Sequence, residues 1–304
     1  MTAFTQLTGT IVSANSSAKP PVAGNAIITL FNNQVQSLDN STPGTQWRQS
    51  AALPQGFTAP GGICGDYNNG VAVYAGNKVA YLTGVGVTGA SWNVLPAPFD
   101  TKPGGDTIQG ISGDLSNGLV VFSGKHVYSM SFTTTPPEWV LLSVAPYPVT
   151  AVAGDPTNGI LIAVNANTSD DANNANPAGP SSLYLGQGGC LCQWAPLTGA
   201  GLPVAKVQIS YLVGGIANGF IFYGENQLFS LQVKPASGSG ATQTPPVGTQ
   251  TKLPPVPFAV QAISGDATNG IAAIGGTGDL IASCPDSKSN SWNVVVVEEA
   301  PSAS

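Results

Sequence analysis

The sequence predicts an all-β fold, a six-bladed β-propeller with four antiparallel strands in each blade, and three observations predict it. One pattern recurs along the 304 residues: an apolar run, Gly-Asp, two variable residues, Asn-Gly, then two further apolar runs. Its Asn-Gly pair stands at Asn69-Gly70, Asn117-Gly118, Asn158-Gly159, Asn218-Gly219 and Asn269-Gly270, with a degenerate copy at Gly24-Asn25. Trp closes the units at Trp47, Trp92, Trp139, Trp194 and Trp292, so that the fifth unit alone lacks one. A period of about 50 residues with about four apolar runs per unit is the signature of a propeller.

Taken in order, the units span approximately 1–52, 53–97, 98–144, 145–199, 200–257 and 258–304, and a ring that grows by adding blades makes one domain of them. The run 4–12 is expected as the first strand of the first unit. The second strands, at 71–74, 119–122, 160–163 and 220–223, are apolar without alternation, which implies burial on both faces. The sixth unit is read as strands at 259–264, 271–274, 280–283 and 292–297, so the ring is expected to close by packing between its terminal blades. In the Gly-Asp-x-x-Asn-Gly turn, Asp accepts from backbone N–H groups of the turn, and Asn-Gly tolerates the positive φ that closes a hairpin. Four units carry the Asp, at Asp66, Asp114, Asp155 and Asp266, and the fifth has Gly215. A ring of cation ligands is the competing reading, but one carboxylate per turn is too few oxygens for a site. Each Trp follows the turn into the outermost strand, where its ring is expected to cover the seam between blades.

Composition excludes several functions. Charged residues are 8% of the chain, with 15 acids against 9 bases, a net charge of −6 and Arg48 as the sole arginine. Neutralising phosphates needs clustered Lys and Arg, so nucleic acid is not an expected partner. The 38 Gly and 25 Pro sit among 42% hydrophobic residues in short runs, the mark of a packed β protein rather than of disorder. No run reaches the roughly 20 apolar residues of a membrane span, and residues 1–9 lack a basic leader region. A soluble protein is expected, either cytosolic, exported without a leader or already processed. Cys64, Cys190, Cys192 and Cys284 belong to units that are not neighbours in a ring, and Cys190 to Cys192 would close a strained loop, so free thiols are expected. The sequons at Asn15, Asn40 and Asn167 are read as chance in a chain rich in Asn, Ser and Thr.

The turns Thr42-Pro-Gly-Thr-Gln-Trp47 and Thr88-Gly-Ala-Ser-Trp92 resemble a worn form of the Asp-box hairpin. That hairpin marks sialidase-like propellers and the propellers that assist photosystem assembly, and the resemblance implies the fold. It does not extend to activity: sialidases hold their substrate carboxylate with three arginines, and Arg48 cannot supply them. The six-bladed fungal fucose lectins are similar in length and blade number, but their repeated Arg and Glu are absent. The Glu, Asn and Asp set of the calcium-dependent lactonase propellers is not evident either.

Candidate functional residues come from departures from the repeat. The segment 166–182 carries Asp170 and Asp171 and is expected as a loop between second and third strands, on the face that also holds the connections between blades. The segment 234–250 is expected as a loop on the opposite face. Inter-blade segments 95–106, 146–150 and 198–204, with short turns at Lys78, Lys125 and Glu225, add the rings of Phe99 and Tyr147 to the first face. Rings among neutral polar groups suit a sugar better than an ion. Phe99, Tyr147, Asp170, Asp171 and Glu225 are therefore the expected ligand contacts, for a neutral small molecule or glycan, with no cofactor and no metal. His126 is the only histidine, which excludes a multi-His metal site and leaves it as the acid–base group of an alternative enzyme reading. Three functions stay open. They are a lectin-like binding propeller, which is preferred; a cofactor-independent cyclase, lyase or isomerase working at the channel mouth; and a structural or assembly protein forming oligomers or filaments.

Overall fold

The computed structural model describes residues 6–8, 26–31, 34–39, 48–85, 87, 89–99, 107–133, 136–165, 181–186, 193–199, 209–237, 244–275, 280–284 and 292–296. Trp47, Asp170, Asp171, Cys190, Cys192, the three sequons and the Gly24-Asn25 turn lie outside them.

The regular structure described is all strand, in antiparallel four-stranded sheets, and the architecture is a β-propeller. The first sheet is β1 (Gln6–Thr8), β2 (Ala26–Phe31), β3 (Gln34–Asp39) and β4 (Arg48–Ala52). The second is β5 (Gly62–Asp66), β6 (Gly70–Ala75), β7 (Lys78–Leu82) and β8 (Trp92–Val94), and the third is β9 (Gly110–Asp114), β10 (Gly118–Ser123), β11 (His126–Met130) and β12 (Trp139–Val144). The fourth is β13 (Val149–Asp155), β14 (Gly159–Asn165), β15 (Ser181–Gly186) and β16 (Trp194–Pro196). The fifth is β17 (Ile209–Gly215), β18 (Gly219–Gly224), β19 (Gln227–Lys234) and β20 (Val247–Lys252), and the sixth is β21 (Val260–Asp266), β22 (Gly270–Gly275), β23 (Leu280–Cys284) and β24 (Asn293–Val296). Each sheet is made of four strands that follow one another in the chain. The innermost strands β1, β5, β9, β13, β17 and β21 touch in that order, and β1 also touches β21 and β22. β1 pairs with β2 of its own sheet, so the first and sixth sheets meet by packing.

The second strands β6, β10, β18 and β22 are buried along their whole length, as their unbroken apolar runs require. Apolar clusters fill the seams on either side of them. Ile28 and Leu30 of β2 pack with Val71 and Val73 of β6 between the first and second sheets. Phe220 and Phe222 of β18 pack with Leu161 of β14 and Leu185 of β15 between the fourth and fifth. Strand alternation turns Thr29 and Gln36, cross-strand partners, away from the first cluster and toward the sixth sheet, and both are buried. The seam that closes the ring thus buries these two polar side chains.

The Gly-Asp-x-x-Asn-Gly turns join first strands to second strands on what we term the lower face. The Asp114 Oδ1 accepts from the N–H groups of Ser116 and Asn117, both at 2.7 Å, and its Oδ2 accepts from the Asn117 side-chain amide at 2.9 Å. Asp66, Asp155 and Asp266 repeat this arrangement. The glycine before Asp has a positive φ, +99° at Gly265, and a Cβ there would run into the Gly270 carbonyl. Adjacent turns are stitched together, Thr157 Oγ1 donating to the Asn117 carbonyl and Thr268 Oγ1 to that of Asn218. These carboxylates accept from their own turns, Asp266 Oδ2 also from the Asn218 side-chain amide of the adjacent turn, and among the described residues no three His, Cys, Asp or Glu gather to hold a metal.

Two stability changes follow. Asp266→Ala is expected to lower stability by about 1 kcal/mol, by analogy with lost helix caps, while leaving the upper face intact. Gly215→Asp, which restores the missing cap where a Cβ meets open space, is expected to raise stability by a similar amount. Denaturant titration followed by circular dichroism reads both.

The outer strands run end to start around the rim, and the Trp indoles fasten the joints. Trp139 donates to the Pro96 carbonyl at 2.8 Å, Trp194 to that of Ser143 at 3.1 Å and Trp292 to that of Pro254 at 3.1 Å. In the unit without Trp the same joint is closed by backbone. Thr198 N donates to the Pro246 carbonyl at 3.1 Å, and Gly248 N to that of Thr198 at 2.7 Å, making a parallel bridge between Thr198 and Val247. The segment 234–250, expected as a loop, is a hairpin extension instead. β19 runs to Lys234, β20 starts at Val247, and Ser237 pairs with Thr244 between them.

Candidate functional site

The upper face carries the turns from second to third strands and the connections between sheets. In the third sheet the turn between β10 and β11 holds Gly124 and Lys125, and His126 opens β11. The connection to the next sheet, Ala145-Pro-Tyr-Pro-Val149, is pinned to this turn at both ends. Ala145 N donates to the Lys125 carbonyl and Val149 N to the Gly124 carbonyl, each at 2.8 Å. Gln109 of the preceding connection accepts from Gly124 N through Oε1 at 2.8 Å. Pro on either side of Tyr147 narrows its φ/ψ range further. The sequence therefore builds a short, stiff loop that presents one aromatic ring.

That loop brings two of the sequence-derived candidates together. His126 is opposite Val144 in the β11–β12 register, and Tyr147 lies on the pinned loop that follows. Both are half-buried. The structure adds a residue that the sequence reading missed, Tyr184 of β15. Tyr147 and Tyr184 both pack against the cluster between the third and fourth sheets, with Trp194 and Leu142. Burial and then the neighbouring Tyr147 hydroxyl push the Tyr184 phenol up from its ordinary range, so the Tyr184 hydroxyl stays protonated across the physiological range. The segment that contains Asp170 and Asp171 leaves from the end of β14 and returns at Ser181, three residues before Tyr184. The only sign of Tyr184 in the sequence is an aromatic residue at the fourth of six places in a third strand.

The other candidates fall elsewhere. Phe99 is only 8% exposed. Its ring meets Tyr128 edge-on at 4.9 Å inside the cluster between the second and third sheets, and its carbonyl accepts from the Asn77 amide at 3.2 Å. The aromatic face expected to stack on a ligand is taken up by the protein, because Phe99 packs into the seam together with Leu95. Glu225 is exposed in the turn between β18 and β19, and with Asn226 it holds a positive φ, 49° and 60°. Two successive left-handed residues make the two-residue hairpin turn that usually takes Asn-Gly. The equivalent positions in the second and third sheets open with Gly76 and Gly124, so Glu225 adopts a conformation costly for a side chain at a place where glycine serves elsewhere. Cys64, buried near Asp114, has its thiol pushed far up by burial and then by that carboxylate, and is free. A thiol so held is not a nucleophile.

No family model matches the chain, and no curated protein matches it by sequence. No helix of the described residues is long and apolar enough to cross a membrane. The fold has solved counterparts. Virginiamycin B lyase from Staphylococcus aureus, selenomethionine-substituted, superposes with a TM-score of 0.52 at 10% identity, over 98% of this chain and 85% of that one. The catalytically inactive histidine-to-alanine variant of the same lyase, solved with quinupristin, gives a TM-score of 0.54 at 10% identity, over 96% and 84%. At that identity the likeness is one of fold, and the chain shares the lyase's β architecture.

Proposed function

We propose that the chain is a single six-bladed propeller that binds a neutral, ring-bearing ligand, a carbohydrate, without converting it, on the upper face where blades three and four meet. The observation that carries this reading is the pair of half-buried tyrosines, Tyr147 and Tyr184, packed on one cluster beside a loop pinned at both ends. A pyranose offers an apolar ring face for stacking and hydroxyls for hydrogen bonds, and it needs little net charge. A stiff platform loses little entropy on binding. Asp170 and Asp171, on the segment that precedes Tyr184 in the chain, and Glu225, in an exposed turn of blade five, are the proposed acceptors for sugar hydroxyls. Phe99 takes no part, its ring being enclosed.

A glycan array followed by isothermal titration tests this. The parent is expected to bind a saccharide, and Tyr147→Ala to weaken it at least tenfold, about 1.4 kcal/mol. Asp170→Ala is expected to weaken it less, and raising the salt to change little, since no ion pair with the ligand is formed. Binding that both variants leave unchanged counts against these contacts.

One observation favours a second reading. His126, the only histidine, stands half-buried next to the pinned Tyr147 loop, a setting in which an imidazole can exchange a proton with a bound substrate. In that reading the propeller is a cofactor-independent lyase, cyclase or isomerase. His126→Ala separates the two: it abolishes turnover if His126 is the acid–base group and leaves saccharide binding largely intact if the site only binds.

A further inference from the structure

The innermost strands end in two ways at the upper face. β5 and β9 are five residues long and keep one register with their neighbours. Each starts on a glycine covered by a ring, for a Cβ on Gly62 would meet Tyr74 and one on Gly110 would meet Phe122. β13, β17 and β21 are seven residues long, and in each the register shifts near the upper end. One extra residue stands at each shift, Thr150, Ser210 and Gln261, while the residues flanking it pair with consecutive positions of the second strand. All three are polar, and Ser210 and Gln261 are exposed while Thr150 is half-buried. An exposed side chain at the upper end of an innermost strand opens on the mouth of the central channel. Bulges re-aim side chains in this way and gather beside functional sites. The fifth sheet departs further, with Tyr211 opposite Tyr223 where the second and third sheets have glycine opposite a ring. The two tyrosine rings lie side by side at 6.1 Å, 34° between planes, and the Tyr223 hydroxyl donates to Asn226 Oδ1 of the upper turn at 3.1 Å. Burial and then Tyr223 push the Tyr211 phenol up, so it keeps its proton as a hydrogen-bond donor at neutral pH.

We propose that Thr150, Ser210, Tyr211 and Gln261 form a polar arc along the channel mouth, from the fourth sheet to the sixth, and that the saccharide held at Tyr147 is one end of an oligosaccharide lying along this arc. The inference rests on the saccharide reading of the Tyr147 site and extends it. Tyr147 stands three residues before Thr150, so the arc begins where the pinned loop ends. Neighbouring innermost strands touch, which puts successive bulges between one strand spacing and one sheet spacing apart, roughly 5 to 10 Å. Three such positions in a row outrun a single pyranose ring and suit a chain of them. None of the four side chains is charged, and between them their hydroxyl and amide groups both donate and accept, as sugar hydroxyls require. Thr150 Oγ1 donates to the Ala163 carbonyl at 3.2 Å, which leaves its lone pairs to accept from a sugar hydroxyl.

An array of the mono- to hexasaccharides of the cellulose, amylose, mannan, xylan and chitin series, followed by isothermal titration of the series that binds, tests the proposal. The parent is expected to bind the trisaccharide or a longer member about tenfold more tightly than the monosaccharide, the gain of a pair of net hydrogen bonds. Ser210→Ala combined with Gln261→Leu is expected to bring that ratio close to one. Tyr211→Phe, which removes only a hydroxyl and serves should the double variant fail to fold, is expected to lower it about threefold. Tyr147→Ala is expected to weaken every length in the series. A parent ratio near one overturns the extension and leaves the Tyr147 site standing, and a ratio that the double variant and Tyr211→Phe both leave intact overturns the arc. No member of any series bound also overturns the proposal, and the broader glycan array then decides the Tyr147 reading by itself.

Discussion

Phe222→Ala is expected to cost about 4 kcal/mol of folding stability, the range for removing a fully buried aromatic side chain. Phe222 sits at the centre of β18 with no exposed surface, and its ring stacks on Phe229 at 5.0 Å with 16° between planes. It fills the seam between the fourth and fifth sheets with Leu161, Leu185 and Phe220. Two hydrogen-bonded sheets hold the walls of that seam apart, so the void cannot collapse and the cavity term is felt in full. Guanidinium unfolding monitored by circular dichroism measures the change. A loss under about 1 kcal/mol would mean that the blades are not packed on one another as described.

Gly265→Ala is expected to cost about 3 kcal/mol, although it adds a single methyl group. The backbone at Gly265 has φ +99°, a conformation L side chains rarely adopt, and the new Cβ meets the carbonyl of Gly270, which is itself fixed in the β21–β22 pair. Gly215→Ala is the control in the same turn position of the neighbouring sheet but one residue on, where φ is not positive and a Cβ meets nothing within 4 Å. It is expected to be neutral or to stabilise by about 0.5 kcal/mol through the unfolded chain. Equal effects from the two glycines would remove the physical basis for the repeat.

These two cases show why so much of the fold was legible. The Gly-Asp-x-x-Asn-Gly string encodes a left-handed residue, a carboxylate cap and a second glycine, each with a geometric requirement that only those residues meet. The apolar second strands such as Leu119-Val-Val-Phe122 encode burial on both faces just as directly. The Trp positions encode the rim joints through an N–H that needs a carbonyl. Where a joint is made by backbone alone, as at Thr198 and Val247, no side chain announces it, and the fifth unit read only as a loss.

The site was less legible because it depends on which way a connection folds. Phe99 and Tyr147 read alike, both rings on inter-blade segments, yet the longer connection tucks Phe99 against Tyr128 while two prolines and two backbone hydrogen bonds hold Tyr147 at the surface. Tyr184 carried no mark beyond its place in an apolar third strand, since its value comes from a neighbour on another sheet.

The account holds that the repeated motif is scaffold and that recognition belongs to the upper face between the third and fourth sheets. Hydrogen exchange read by mass spectrometry, with and without the best saccharide from the array, tests this most directly. The account predicts that ligand slows exchange in 123–126, 145–150 and 182–185 and leaves the Gly-Asp-x-x-Asn-Gly turns unchanged. Slowed exchange confined to those lower-face turns, or no saccharide bound by the parent protein, would contradict it.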